Sequence, residues 1–217
     1  MPIVKESSDE LNPPVITTGG LGDRKPPGRT LSNYLALAFA TCGVGYLPLA
    51  PGTWGSLLGV GIYGLFDTVY IHWLRRPSLS EPSVSNIDGL ENLLRDTLQV
   101  AQLRTVILLV FITLLTWLGI WAATRTEKLL GRKDPGIVVI DEVAGQLVAF
   151  LFVPFNSGWW VIIGGFILFR LFDIWKPYPI RRLEMLESGL GIMADDVLAG
   201  IYAAILLSLL VSIYSLL

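Results

Sequence analysis

Five carboxylates, Asp141, Glu142, Asp173, Asp195 and Asp196, stand inside or against long apolar runs of this chain, with Arg170, Lys176 and Arg181 close by in sequence. Ionisable groups at membrane depth are costly unless they serve chemistry, transport or pairing. They fall in four short segments: GVGYLPLAPGTWGS at 43 to 56, DPGIVVIDEVAGQ at 134 to 146, FRLFDIWKPYPIRR at 169 to 182 and GLGIMADDVLAG at 189 to 200.

Each segment admits a chemical reading beside a structural one. In the first, a Gly/Pro-rich loop leads into an apolar helix with Thr53 as a plausible N-cap, so that Thr53, Ser56 and unpaired N–H groups could receive a phosphate; a kinked entry loop would need the same glycines. In the second, Asp141 and Glu142 are adjacent hard-oxygen ligands of the type Mg²⁺ uses, or else caps and ion-pair partners. Glu142, Gly145, Gln146 and Ala149 share one helical face. In the third, if the helix continues through residue 176, Arg170, Asp173 and Lys176 form a stripe at i+3 spacing that suits a phosphoester: two anion clamps around a metal ligand or nucleophile. The structural alternative is a self-neutralising ladder, with Lys176, Arg181 and Arg182 on lipid headgroups. In the fourth, Asp195 and Asp196 open the last apolar run. Capping and the helix dipole account for one of them, while Asp196, Gly200, Ala203 and Ala204 share a face that points Asp196 inward.

Other chemistries find little support. His72 is the sole histidine and has no partner motif, and Cys42, the sole cysteine, lacks a basic neighbour and reads as packing. A single cysteine also excludes an internal disulfide.

The elements that must position these groups are apolar helices. Of the 217 residues, 53% are hydrophobic and 16% charged, and the mean hydropathy is +0.60, which is too apolar for an ordinary soluble domain. The pattern predicts an all-α membrane bundle of four to five spanning helices: residues 54 to 74, 105 to 124, 159 to 175 and 197 to 217, with 137 to 153 as a shorter fifth candidate. Residues 31 to 47 read as a short helix leaning on the bundle. Residues 1 to 32 read as a disordered polar tail, 33 to 217 as one membrane domain, and 75 to 104 as an extramembrane loop. The distribution of Lys and Arg places the N-terminus, the 125 to 136 loop and the 176 to 196 loop in the cytoplasm, which brings all four segments to one face. A net charge of −2 gives no reason to expect nucleic acid.

Taken in order and spacing, GYLPLAPGTWGSLLG, DPGIVVIDEVAGQ, FRLFDIWKPYPIR and GLGIMADDVLAG resemble the type A phosphatidylglycerophosphatases over roughly residues 33 to 215. The chain departs from that pattern in its acidic tail, its 75 to 104 segment and Glu187-Ser188. The resemblance implies Mg²⁺-dependent hydrolysis of the terminal phosphomonoester of phosphatidylglycerophosphate, giving phosphatidylglycerol and phosphate at the inner face of a bacterial cytoplasmic membrane. It carries motif positions onto Asp141, Glu142, Asp173, Lys176, Arg181, Asp195 and Asp196. On this reading Asp141, Glu142, Asp173, Asp195 and Asp196 hold Mg²⁺, Arg170, Lys176, Arg181, Thr53 and Ser56 meet phosphate oxygens, and Asp173, Asp196 and Lys176 are catalytic. Membrane lipids are the expected partners. A small transporter or ion pathway using the same charges is the alternative.

Overall fold

The structure, a computed structural model, describes residues 30–73, 87–154 and 157–216, so the expected tail lies almost wholly outside the described residues. Seven α-helices and one 3₁₀ turn (Val44–Tyr46) account for the regular structure, with no strand among the described residues. In chain order the helices are α1 (Leu31–Thr41), α2 (Pro51–Trp73), α3 (Ile87–Leu130), α4 (Ile140–Ala149), α5 (Trp159–Trp175), α6 (Ile180–Leu183) and α7 (Ser188–Leu216).

Local chemistry sets the boundaries. Pro51 opens α2, where its fixed φ fits and its missing N–H is not needed. Pro177 disfavours helical geometry in the residue before it, and α5 accordingly ends at Trp175 with Lys176 in the left-handed region at φ 46°. Gly131, at φ 64°, closes α3 by donating its N–H to Glu127 O at 2.8 Å.

The short helix α4 is the axis of the bundle: every residue in it except Glu142 is buried, and it packs on α7, α2, α3 and α5. Missing side chains make this possible. A Cβ on Gly55 would lie 2.9 Å from Val139 Cβ, one on Gly59 2.9 Å from Gln146 Cβ, and one on Gly200 2.3 Å from Gly145 O. The outward faces are apolar, with Leu65, Val106, Leu114, Ile167 and Ile205 all more than half exposed. That exterior suits hydrocarbon, in which backbone polar groups must pair internally as they do in helices.

Two described helices, α3 and α7, are long and apolar enough to cross a membrane by themselves, fewer than the four to five expected. α5 matches its expected bounds but has 17 residues, α4 has ten, and α2, at 23 residues, is diluted by five glycines and Asp67. Residues 87 to 104, expected within a loop, are helical. They extend α3 to 44 residues, about 66 Å of helix and roughly twice the hydrocarbon thickness.

Arg104 also departs from its expected place in that loop. It is 3% exposed, donates from Nη1 to Val153 O at 2.9 Å, hydrogen-bonds the Tyr63 hydroxyl and pairs with Asp67 at 3.0 Å. A charge counted from sequence as belonging to the far surface is thus buried between α2 and α3.

The glycine contacts set a stability test. Gly200→Ala should destabilise the detergent-solubilised protein by about 1–3 kcal/mol, because the rigid backbone of α4 blocks the new methyl. Gly64→Ala, whose added Cβ meets nothing within 4 Å, should be neutral or stabilise by up to about 1 kcal/mol. Thermal unfolding of both variants measures the difference, and equal melting temperatures would contradict this packing.

Candidate active site

Three helices deliver the carboxylates. Asp141 and Glu142 lie in the first turn of α4, Asp173 lies in the last turn of α5, and Asp195 and Asp196 lie two turns into α7. Capping therefore does not explain the last pair. They sit inside the helix at 5% and 3% exposure, not at its start as the apolar pattern suggested, because α7 already begins at Ser188. Oxygens of Asp141, Glu142 and Asp196 all lie within 4.8 Å of one another. Asp173 stands close enough that its charge acts on both Glu142 and Asp196. Asp141 Oδ1 and Glu142 Oε2 are buried without a hydrogen-bond partner among the described residues.

Two cations border the cluster. Arg170 pairs with Asp173 at 2.5 Å. The expected stripe of Arg170, Asp173 and Lys176 is broken after Asp173, because Lys176 has left the helix; its Nζ instead crosses to Asp195 on α7 at 2.6 Å, with Glu184 at 3.6 Å. Burial works against the charge of Lys176, but the hydrogen bond to Asp195 and the charges of Asp195, Glu184 and Asp196 outweigh it and hold the ammonium above its ordinary range. Asp195 thus faces Lys176, and Asp141, Glu142 and Asp196 form the tighter group.

The first segment reaches the same place by way of backbone. A Cβ on Gly52 would fall 2.3 Å from Glu142 Oε1 and 3.2 Å from Arg170 Nη1, so the first turn of α2 lies directly on the cluster. Thr53 is in that turn, not at the N-cap; its N–H bonds to Ala50 O at 3.0 Å. Ser56 is fully buried and donates its hydroxyl to Gly52 O at 2.9 Å. Arg181 is exposed on α6, and the Arg182 guanidinium lies over the ring of Tyr178 at 4.9 Å. All four segments therefore meet at one end of the bundle, while Ser56 and Arg181 are not drawn into the carboxylate group.

Two neighbours carried no role in the sequence reading. Asp134 opens the second segment, and its charge reaches Asp141, Asp195 and Lys176; burial pushes its pKa up against the pull of Lys176. Gln146, one turn beyond Glu142, is fully buried with neither amide atom paired among the described residues. Its i+4 relation to Glu142 was the available signal.

A family model described as Phosphatidylglycerophosphatase A matches residues 37–211. A Haemophilus influenzae Phosphatidylglycerophosphatase A is 36% identical over 177 residues, 81% of this chain and 88% of that protein. The Escherichia coli protein of the same name is 29% identical over 175 residues, 80% and 81% of the two chains. A Bacteroides thetaiotaomicron protein provisionally named phosphatidylinositol-3-phosphatase is 36% identical over 171 residues, 76% and 86% of the two chains. No solved structure matches.

The crowding of like charges has a thermodynamic consequence. Asp196→Asn removes one member of a mutually repelling group while keeping its shape, so the metal-free variant should melt at a higher temperature than the metal-free parent. A lower melting temperature would show that Asp196 is held by attraction. Cys42 reports on the same region: burial, then the charge of Glu142, raises its pKa to about 11. Alkylation at pH 8 should run about two orders of magnitude slower than for an exposed cysteine of pKa ~8.5, and should accelerate as pH rises toward 11.

Proposed function

Since the chain belongs to the phosphatidylglycerophosphatase A family, we propose that it hydrolyses the terminal phosphomonoester of phosphatidylglycerophosphate, releasing phosphate and leaving phosphatidylglycerol in the membrane. The observation that carries this reading is the meeting of Asp141, Glu142 and Asp196 within 4.8 Å at the bundle end that also holds Arg170 and Lys176. Carboxylates suited to a hard cation and cations suited to a phosphate, gathered at one end of an apolar bundle, support action on a lipid headgroup at the bilayer surface.

The donor set fits Mg²⁺: all-oxygen ligands, two of them with buried, unpartnered atoms. Asp141, Glu142 and Asp196 would hold the ion, with Asp173 and Asp195 at its border. When bound, it supplies Lewis acidity toward the phosphoryl oxygens and makes a nearby water more acidic. The chain's own groups do the rest. Arg170 and Lys176 hold phosphoryl oxygens, each oriented by the carboxylate it already pairs with. Asp173 and Asp196 orient the attacking water and take its proton as the new P–O bond forms. The ester P–O bond breaks, and the proton taken from the water passes to the departing glycerol oxygen, leaving it as a hydroxyl. The first turn of α2 borders the same space at Gly52.

Five crossings fit this function. α2, α3, α5 and α7 traverse, and α4 with residues 150 to 154 forms an interior crossing, since Asp141 lies at the catalytic end while Val153 O meets Arg104 at the other. Lys128, Arg132, Lys133, Lys176, Arg181 and Arg182 cluster toward the catalytic end, which supports a cytoplasmic orientation of that end at a bacterial inner membrane. Burial of Arg104 removes one cation from the opposite surface and sharpens that asymmetry.

Purified protein should release phosphate from phosphatidylglycerophosphate and stop when EDTA removes divalent metal; full turnover after chelation would overturn the metal assignment. Phosphatidylinositol 3-phosphate, run in parallel because of the Bacteroides relative's name, tests the headgroup preference. Asp173→Asn and Asp196→Asn should each lower turnover at least about 100-fold, about 2.7 kcal/mol of transition-state stabilisation, in protein that remains folded. For topology, Glu187→Cys and Glu91→Cys in a Cys42→Ser background should label differently in intact cells: the first protected from an impermeant thiol reagent, the second modified. The reverse pattern would invert the orientation.

A further inference from the structure

A second feature lies apart from the carboxylates. The carboxylate site is built by α2, α4, α5 and α7, whereas α1 and α3 enclose a cleft of about 640 Å³, a size typical of small-molecule sites. One face of α3 supplies most of its wall. Trp117, Trp121, Arg125 and Lys128 follow one another at i, i+4, i+8 and i+11, so the lining changes from aromatic to cationic over about 12 Å from Trp117 to Arg125. Ile120 adds to the apolar part. Arg125 donates Nε–H to Asn33 Oδ1 on α1 at 2.9 Å, which holds the guanidinium at the mouth. Trp117 is 74% exposed.

We propose that this cleft binds one anionic phospholipid, with an acyl chain against Trp117, Ile120 and Trp121 and the headgroup phosphate on Arg125 and Lys128. Three observations select that occupant. The order of chemistry along α3 is the order met along a phospholipid at a bilayer surface, from hydrocarbon through the tryptophan layer to the phosphate. The cationic end is the C-terminal end of α3, where the loop to the carboxylates begins, so the phosphate level of the cleft and that of the candidate active site belong to the same leaflet. The chain's own preceding segment is a weaker match for the cationic end, because residues 1–29 balance Lys5, Arg24, Lys25 and Arg29 against Glu6, Asp9, Glu10 and Asp23 and carry no net charge. The lipid is a resident ligand and not the substrate of the carboxylate site, so the proposal stands independently of the hydrolytic reading. Thr124, also in the lining, accepts the N–H of Gly189 at 3.1 Å, which links the cleft to the start of α7.

Native mass spectrometry of the full chain, released from zwitterionic detergent with equal amounts of phosphatidylglycerol and phosphatidylcholine, tests this. The parent protein should retain one phosphatidylglycerol in preference to phosphatidylcholine by about tenfold or more, on the order expected for two cations at a lipid surface. Arg125→Gln with Lys128→Gln should abolish the preference without altering the melting temperature, while Asp196→Asn should keep it. Equal retention of the two lipids by the parent, or a preference that survives in the double variant, would overturn the proposal. Loss of preference in Asp196→Asn would assign the lipid to the carboxylate site instead. Displacement by inorganic phosphate would make the cleft a phosphate site and not a lipid site.

Discussion

Mutual repulsion among carboxylates in an apolar bundle is the constraint around which this protein is arranged. Asp141, Glu142 and Asp196 share a space of a few ångströms, and Asp173 adds its charge from α5. Unpaired charge in such surroundings is strongly destabilising unless cations or hydrogen bonds answer it. The described residues supply part of that answer, Arg170 to Asp173 and Lys176 to Asp195. Asp141 Oδ1, Glu142 Oε2 and Asp195 Oδ1 stay without a hydrogen-bond partner among the described residues, and the first two belong to the three-carboxylate group that a divalent cation would satisfy. Stability given up at this point is the ordinary accompaniment of a working site.

Close helix packing is what holds the repelling groups in place. Gly52, Gly55 and Gly59 let α2 lie on Glu142, Val139 and Gln146, and Gly145 and Gly200 bring the backbones of α4 and α7 together. In a lipid environment helices gain little from burying apolar surface, so such backbone proximity is a principal source of association. Replacing these glycines would loosen the frame that forces the carboxylates together.

The two ends of the bundle carry different electrostatics. At one end several acids share few bases, while at the other Arg104 pairs with Asp67 and donates to the Tyr63 hydroxyl and Val153 O. Between them lies an apolar layer of Leu108, Val143, Leu147, Phe150, Val161 and Leu207. An enzyme acting on a headgroup needs polar groups at one face only, and the carboxylates and their cations are gathered at one end of the bundle.

Much of this was legible in the sequence. Apolar runs set the helical class and the position of α5, and acids within oil identified Asp141, Glu142, Asp173, Asp195 and Asp196, because these are local consequences of solvation. Tertiary structure alone decided which charge meets which. Lys176 leaves the stripe it was expected to share with Arg170 and reaches across to Asp195, since the residue before a proline gives up helical geometry. Asp196 joins Asp141 and Glu142 while its neighbour Asp195 turns away, since adjacent helical residues point about 100° apart. Arg104, a loop charge by sequence, is buried because a helix that starts early carries it between α2 and α3. Helical period assigns a residue to a face, but the identity of the opposing face depends on how helices distant in sequence pack, and that is a property of the folded bundle.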